Sequence, residues 1–219
     1  LRLKQSFIMK YTVVTGAASD IGKEICLKLA NTGHSLLMLD IDGESMEEIK
    51  SALPNADIHH TLVLDFSDIA NTEEYLKKHI MGHSLEIKSA VFAAGIFSIK
   101  PLRMLNHEYF IKSMNISVYS VIQIMQIVTS KKINAGNFES AVVISSISSK
   151  IGTKGYALYS TIKSSLLGLV HSLAVELSPL VRINAILPGS IKTKATAFIY
   201  NSSENANSRS LLGEGTTKD

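Results

Sequence analysis

Short apolar segments alternate with amphipathic segments along most of the chain. The apolar segments predict buried strands, and the segments with helical periodicity predict helices packed on a sheet. We predict strands near residues 11–15, 35–39, 58–64, 88–93, 139–145 and 180–186, and helices near residues 20–32, 43–52, 68–80, 106–131 and 157–177. This alternation predicts an α/β fold, a Rossmann-type doubly wound parallel sheet with helices on both faces, in a single domain.

Composition limits the remaining possibilities. A chain of 219 residues with 46% hydrophobic content can bury one complete core, so we expect a single domain over residues 1–219. Residues 1–10 are expected to be an N-terminal extension, and residues 195–219 a mobile substrate-loop region with the chain end. A net charge of +3, without a basic stripe interleaved with aromatic residues, argues against a nucleic-acid partner.

The sequence also bears on location. No apolar segment is long enough to predict a membrane span or a convincing leader, so we expect no membrane association. The single cysteine, Cys26, cannot form an intrachain disulfide, which fits a reducing compartment. A cytoplasmic location is therefore predicted.

A strand, a turn of small residues and a helix start follow one another near the amino end. Gly16 can adopt backbone angles denied to other residues, and Gly22 permits close packing of helix on sheet. The helix amino terminus attracts phosphate, so residues 16–22 predict a pyrophosphate cradle. Asp20 stands where a further glycine is expected; it is also a good N-cap, and we expect its carboxylate to point away from the phosphate.

Asp40 ends the second predicted strand. A carboxylate at this position can accept hydrogen bonds from both ribose hydroxyls of an adenosine, and it would repel a 2′-phosphate. No Arg or Lys lies in the glycine turn or directly after Asp40 to receive such a phosphate. Asp40 therefore favours NAD over NADP, with NADP kept as an alternative.

Tyr159 and Lys163 lie four residues apart, so a helix would place both side chains on one face. A nearby ammonium favours the phenolate and is expected to lower the pKa of Tyr159, which would make the phenol an acid–base catalyst. This spacing alone is common in ordinary helices. A serine cluster at residues 145–149 follows a predicted strand, at the end of the sheet where ligands of such folds bind.

Taken together, the motifs resemble the short-chain dehydrogenase/reductase family, and most of all its 3-oxoacyl-carrier-protein-reductase-like branch. The resemblance covers residues 11 to 193, and its matching elements are Thr15-Gly16-x-x-x-x-Ile21-Gly22, Asp65, Ala93-Ala94-Gly95, Asn115, Ser146, Tyr159-x-x-x-Lys163 and Pro188-Gly189-x-Ile191-x-Thr193. Their order along the chain is far more specific than any one of them.

The resemblance implies roles for the catalytic residues. Tyr159 would exchange a proton with the substrate oxygen, and Ser146 would hold that oxygen as charge develops on it. Lys163 would bind the nicotinamide ribose as well as influence Tyr159. Asn115 would hold a water that connects Lys163 to solvent.

The resemblance also implies the cofactor contacts. The residues concerned are Gly16, Ser19, Asp20, Ile21 and Gly22 in the glycine turn, Asp40 at the ribose, Asp65 and Phe66 at the adenine, Ala93, Ala94 and Gly95 after the fourth strand, Tyr159 and Lys163 at the nicotinamide ribose, and Pro188, Gly189, Ile191 and Thr193 at the carboxamide. Ala93 replaces the Asn of the family pattern, which removes one side-chain hydrogen bond. The small side chains still allow the backbone to approach a ribose.

The predicted function is NAD(P)-dependent hydride transfer between nicotinamide and a secondary alcohol or ketone carbon. The expected partners are a small-molecule alcohol, ketone or acyl-thioester substrate and further copies of the chain, in a homodimer or homotetramer. A non-catalytic dinucleotide-binding module, regulatory or scaffolding, is the alternative. A sugar-nucleotide epimerase also uses Tyr-x-x-x-Lys but usually needs a larger substrate domain and a different glycine spacing.

Two further expectations concern the chain end and metals. Family members usually continue through another helix and strand, so the chain is interpreted as shortened at its C-terminus, with an exposed sheet edge. The pair His59-His60 lacks another ligand at a suitable spacing, so we expect no metal site.

Overall fold

The computed structural model describes residues 9–197, which contain one six-stranded sheet of order β3-β2-β1-β4-β5-β6. Every neighbouring pair of strands is parallel. The strands are β1 (Lys10–Thr15), β2 (Ser35–Asp40), β3 (His60–Val63), β4 (Glu86–Phe92), β5 (Ser140–Ile144) and β6 (Arg182–Ile186). The strand order reverses between β1 and β4, and their carboxyl ends open a crevice of the kind in which such sheets bind ligands.

Helices cover both faces of the sheet. They are α1 (Asp20–Asn31), α2 (Gly43–Ala52), α3 (Ile69–Gly82), α4 (His107–Met114), α5 (Ser120–Thr129), α6 (Lys131–Asn134) and α7 (Ala157–Glu176). Apolar side chains of α1 and α2 pack with β1 and β2 in one core cluster. Side chains of α3, α5 and α7 form a larger cluster with the strands. The predicted doubly wound α/β fold is confirmed.

The first strand begins one residue earlier than predicted. Lys10 already belongs to β1, so the predicted extension overlaps the first strand by one residue. Of the predicted substrate-loop region, only the stretch through Ala197 lies within the described residues. In the described part of the chain, none of the helices combines the length and the apolar composition that a bilayer crossing needs.

The helix predicted over residues 106–131 is present from His107 to Thr129, but it contains a π-helical turn that the sequence did not predict. The chain forms α4, then a π-helical turn from Asn115 to Tyr119, then α5 and the short α6. The buried positions Val118, Val121 and Ile124 keep an apolar pattern through the break, so the sequence pattern did not reveal it. Single π-turns inside helices occur frequently at functional sites.

The turn between β1 and α1 is closed by Ser19 and two glycines. Ser19, not Asp20, is the N-cap of α1: its hydroxyl donates to the Gly16 carbonyl at 2.6 Å and accepts from Gly22 N at 3.0 Å. Gly16 has φ of +68°, and a Cβ there would lie 2.8 Å from Ala94 Cα. A Cβ at Gly22 would lie 1.9 Å from the Gly16 carbonyl oxygen. Both positions therefore require glycine, because the turn is packed against its own backbone.

We predict that Gly22→Ala lowers the free energy of unfolding by about 3 kcal/mol or more, because backbone atoms cannot move aside as a flexible side chain could. Chemical denaturation followed by circular dichroism measures this change. Gly168→Ala in α7 is the matched control, since a Cβ there meets no atom within 4 Å; it should raise stability by roughly 0.5–1 kcal/mol. Equal effects of the two substitutions would contradict the packing argument.

Candidate active site

A cavity of about 540 Å³ lies in the crevice at the carboxyl ends of the strands. Its walls come from the glycine turn, the segments after β4, β5 and β6, and the start of α7. The predicted site residues among its lining are Ser19, Asp20, Ile21, Ala93, Gly95, Ser146, Tyr159, Lys163, Pro188, Gly189, Ile191 and Thr193. Segments distant in sequence thus meet at one place.

Helix α7 is joined to the end of β5 through Lys163. The Lys163 Nζ atom donates a hydrogen bond to the Ile144 carbonyl at 2.9 Å. The Ser145 hydroxyl donates to the backbone carbonyl of Lys163 at 2.8 Å. These bonds give Ser145 a structural position, and they place Tyr159, one turn earlier in α7, beside the segment that follows β5.

Ser146 is the serine of the cluster that contacts Tyr159. Its hydroxyl oxygen accepts a hydrogen bond from Ser148 N at 3.2 Å. This leaves the hydroxyl hydrogen for Tyr159, and the Ser146 bond to the phenol acts to lower the pKa of Tyr159. Ser149 instead donates to the Ser146 carbonyl at 2.6 Å, which steadies the turn.

The expectation that Lys163 lowers the pKa of Tyr159 is wrong for this structure. Burial raises the pKa of Tyr159, and this effect exceeds the opposing hydrogen bond from Ser146. Burial lowers the pKa of Lys163 to about 8. The Lys163 Nζ atom lies 5.7 Å from the centroid of the Tyr159 ring. Both groups are therefore shifted towards their neutral forms by desolvation.

Asp40 lies beside the glycine turn. Its carboxylate accepts hydrogen bonds from Ala18 N at 3.0 Å and from Asp42 N at 3.1 Å. Two oxygens on a half-buried carboxylate at the end of β2 are well placed for a polar ligand that enters the crevice along the turn. This is the position that the sequence predicts for an adenosine ribose.

The expectation that Asp20 points away from the phosphate cradle stays a prediction. Asp20 lines the cavity, and its Oδ2 atom accepts a hydrogen bond from Lys194 N at 2.6 Å. The ammonium of Lys194 also helps to lower the pKa of Asp42. A cation from the segment after β6 therefore lies close to the turn after β2, although no Arg or Lys directly follows Asp40 in the sequence.

Several lining residues were missed by the sequence analysis. Phe97 packs edge-on against Tyr159 with ring centroids 5.1 Å apart and against Tyr156 at 5.8 Å. Ile147 and Ile151 extend this apolar wall. Their sequence signal is weak, because single apolar residues in loops are common.

Thr15 is a further residue whose position was not predicted. Its buried hydroxyl accepts hydrogen bonds from Ala93 N at 3.2 Å and from Ala94 N at 3.1 Å. These bonds hold the segment after β4 against the end of β1. The same segment contains Gly95, where a Cβ would lie 3.7 Å from Lys163 Nζ. A small residue at this point leaves room for the buried ammonium of Lys163.

Comparison with known proteins agrees with this geometry. A family model described as Enoyl-(Acyl carrier protein) reductase matches residues 16–219. A 3-oxoacyl-[acyl-carrier-protein] reductase from Thermotoga maritima is 30% identical over 93% of this chain and 83% of its own length. A cyclopentanol dehydrogenase from Comamonas testosteroni is 28% identical over 93% of this chain and 81% of its own.

The chain belongs to the short-chain dehydrogenase/reductase family. It is an NAD(P)-dependent oxidoreductase of the alcohol and ketone dehydrogenase type, as the sequence predicted. A crystal structure from Brucella melitensis titled short-chain dehydrogenase/reductase and glucose/ribitol dehydrogenase has the same fold. Its TM-score is 0.83 at 23% identity, with 95% of this chain and 84% of that chain covered.

Other predicted residues of this short-chain dehydrogenase/reductase lie outside the cavity lining. Asn115 begins the π-helical turn, which packs against α7. Asp65 is exposed, and its Oδ1 atom accepts hydrogen bonds from the backbone and the hydroxyl of Ser67. Phe66 is buried in the larger core cluster, so only its backbone is available to a ligand.

The expectation that His59-His60 has no further ligand at a suitable spacing is wrong for His60. Ring nitrogens of His60, His79 and His83 lie within 4.8 Å of one another. The spacing of His79 and His83, four residues apart at the end of a predicted helix, is a signal that could have indicated this grouping.

Burial of Lys163 gives a pH-dependent prediction. Its pKa is about 8 in the folded chain and has an ordinary value of 10.5. Between these values the unfolded chain binds more protons, so the free energy of unfolding should rise with pH across this window. Below pH 8 the cost of burying the charge is fully present.

Lys163→Met should lack this rise and should be about 2 kcal/mol more stable than the parent near pH 7. The pKa shift corresponds to a cost of roughly 3–4 kcal/mol, and loss of the bond to Ile144 offsets about 1.5 kcal/mol of it. Denaturant unfolding measured from pH 7 to 10.5 checks this difference. Lys154→Met, at an exposed position, is the control and should keep the parent's slope. A slope for Lys163→Met equal to that of the parent would refute the assignment.

Proposed function

We propose that this enzyme oxidises secondary alcohols or reduces ketones with Tyr159 as the general acid and base. The observation that carries the proposal is that Tyr159, Ser146 and Lys163 line one cavity and are joined by hydrogen bonds through the end of β5. A phenol and a hydroxyl that share a hydrogen bond can both reach one substrate oxygen.

The residues at the amino end of α1 fit a dinucleotide. A helix start with free N–H groups and a turn that only glycine can form are the features that receive a pyrophosphate. Ser19 and Ile21 would contact it, while the backbone at Ala93, Ala94 and Gly95 leaves room for a ribose. Nicotinamide dinucleotide, when bound, supplies or accepts the hydride.

Each catalytic residue acts on the substrate oxygen or on its neighbours. Ser146 would donate a hydrogen bond to that oxygen, and Tyr159 would donate or accept the proton. Lys163 would bind ribose hydroxyls and keep Tyr159 in place. Asn115, at the π-helical turn, would hold a water on the route between Lys163 and solvent.

The cavity wall supports an apolar substrate. Phe97 and Tyr156 stand edge-on to the Tyr159 ring, and Ile147 and Ile151 line the same cavity. Apolar walls with few polar groups favour a hydrophobic ligand oriented by one polar end. An alicyclic or aliphatic ketone, or the acyl chain of a thioester, matches this chemistry.

The cofactor preference depends on two opposite charges near the turn after β2. The Asp40 carboxylate would accept ribose hydroxyls and repel a 2′-phosphate, which favours NAD. The ammonium of Lys194 lies close to Asp42 and would attract that phosphate. We propose that Asp40 decides in favour of NAD, because a carboxylate can bond the ribose directly.

Two further features complete the proposal. Cys26 is buried and burial raises the pKa of its thiol to about 12, so the thiol is unreactive. We propose a cytoplasmic location because a single cysteine cannot form an intrachain disulfide. A homodimer or homotetramer is proposed from the family resemblance. The single-domain organisation over residues 1–219 is likewise retained.

Replacement of the phenol tests the catalytic assignment. Tyr159→Phe should lower kcat by roughly 10²–10⁴-fold for NADH-dependent reduction of a panel of apolar ketones, because it removes the proton donor. Cofactor binding, measured by NADH fluorescence titration, should change little. Tyr156→Phe is the matched control, since this second tyrosine lines the same cavity.

Equal losses in Tyr159→Phe and Tyr156→Phe would refute the role of Tyr159. NADH binding without turnover of any ketone or alcohol by the parent protein would instead favour the dinucleotide-binding module.

The cofactor preference is tested at Asp40. Asp40→Ala should shift the ratio of NADPH to NADH affinity towards NADPH by about tenfold or more, a difference of roughly 1.4 kcal/mol, because one carboxylate no longer repels the phosphate. Titration of both cofactors measures the ratio. Asp57→Ala, an exposed acidic residue elsewhere, should leave the ratio unchanged. The same ratio in Asp40→Ala and the parent would contradict the assignment.

A further inference from the structure

Three of the seven histidines meet at the amino end of β3, away from the active-site cavity at the carboxyl ends of the strands. His60 is the first residue of β3, His79 lies in the last turn of α3, and His83 directly follows that helix. We name these residues the histidine cluster. Strands begin and their following helices end on the side away from the strands' carboxyl ends, so the cluster is remote from the catalytic residues.

The three rings pack closely. The rings of His79 and His83 lie 4.3 Å apart between centroids and are tilted by 33°. The His60 ring stands edge-on to both, at 5.4 Å and 5.0 Å. Tyr11 contacts the His60 ring at 5.5 Å. The imidazoles therefore face one another across a small space, and neighbouring groups restrict their rotation.

The His83 ring has the hydrogen bond expected of a metal ligand. The Nδ1 atom of His83 lies 3.0 Å from the His79 carbonyl oxygen, and since that oxygen can only accept, Nδ1 carries the proton. The lone pair of the His83 ring is then on Nε2. A bond from one ring nitrogen to a carbonyl is the usual way in which a ligand histidine is oriented.

His79 supplies the second observation. Its Nε2 atom is buried and has no hydrogen-bond partner among residues 9–197. Buried polar atoms are nearly always satisfied, so this nitrogen calls for a partner. A cation bound between the rings would provide one.

His59, the neighbour of His60, has no ring nitrogen free to bind a metal. Its Nδ1 atom accepts a hydrogen bond from Leu36 N at 3.1 Å, and its Nε2 atom lies 2.9 Å from the Pro54 carbonyl oxygen. Both nitrogens are occupied, and the ring is buried on the other side of the strand. Successive side chains of an extended segment point to opposite faces, which leaves His60 directed at α3.

The charge state of the cluster also suits a cation. Burial, together with His83 and His60, lowers the pKa of His79 to about 4, and burial lowers the pKa of His60. Neutral imidazole is the form that binds a metal. Lys50 is near enough to affect His60, but Glu47 pairs with it at 3.7 Å.

We propose that the histidine cluster binds one divalent transition-metal ion of the Zn²⁺ class through three imidazole nitrogens, with water as the fourth ligand. Imidazole donors suit Zn²⁺, Ni²⁺, Co²⁺ and Cu²⁺ and do not suit Mg²⁺ or Ca²⁺. Metal–nitrogen bonds of about 2.0–2.1 Å require the donors to lie about 3.3 Å apart, so the rings close slightly on the ion. A metal ion at this site would link the edge strand β3 to the end of α3. This proposal replaces our expectation of no metal site.

The test uses the full chain without a histidine tag. Titration with Co²⁺ should produce the visible absorption of a tetrahedral complex, saturating at one equivalent, and Zn²⁺ should abolish it by displacement. Zn²⁺ at about a hundredfold excess over its Kd should raise Tm by roughly 5–10 °C, and EDTA should reverse the rise. Mg²⁺ should neither displace Co²⁺ nor raise Tm.

Two variants identify the ligands. His83→Ala at an exposed position and His79→Leu, which keeps an apolar side chain against the core, should each weaken Co²⁺ binding by about 100-fold or more, since even the hydrogen-bond partners of ligands contribute roughly 10- to 100-fold. His107→Ala and His171→Ala, two exposed histidines elsewhere, are the controls and should bind Co²⁺ as the parent does. NADH binding reports that each variant is folded.

Absence of a one-equivalent Co²⁺ complex overturns the proposal. So does a complex that persists unchanged in both His83→Ala and His79→Leu. Loss of binding in the two controls would place the ion elsewhere and would overturn it as well.

Discussion

The active site depends on the hydrogen bond between the buried ammonium of Lys163 and the Ile144 carbonyl. Burial of a cation is costly unless an acceptor replaces water, and the Ile144 carbonyl at the end of β5 supplies that acceptor. Ser145 makes a second bond in the opposite sense, from its hydroxyl to the Lys163 carbonyl. Because these bonds join α7 to β5, they also set Tyr159 beside Ser146. The main effect of Lys163 in this structure is therefore to position Tyr159, and its charge has a smaller part.

The same burial accounts for the protonation of the site. Desolvation raises the pKa of Tyr159 and lowers that of Lys163, so each group is moved towards its neutral form. A neutral phenol can give a proton to a developing alkoxide, as reduction of a ketone requires. Oxidation of an alcohol, the reverse reaction, needs the phenol to lose its proton. Burial and Tyr156 oppose that loss, whereas the hydrogen bond from Ser146 favours it. Because its pKa is about 8, Lys163 changes its protonation state near pH 8.

Local patterns were enough to predict much of this molecule and not all of it. Apolar runs predicted all six described strands, and their alternation with helices predicted a parallel sheet with helices on both faces, but not the order of the strands. The break at Asn115 was missed because the apolar pattern continues through the π-turn. Ser19 and Asp20 are both good caps, so sequence could not choose between them. The pKa of Tyr159 and the meeting of His60 with His79 depend on tertiary packing, which no local pattern encodes.

Asp20 shows how one substitution in a motif can connect two parts of a site. A glycine there would leave the amino end of α1 open, whereas the Asp20 carboxylate lies in the first turn of the helix and bonds Lys194 N at 2.6 Å. The carboxylate and a pyrophosphate are both anions that the same helix end attracts, so they compete for one electrostatic position. We therefore expect a phosphate in the cradle to weaken the hydrogen bond between Asp20 and Lys194. Cofactor binding and the position of Lys194 would then be coupled through this single side chain.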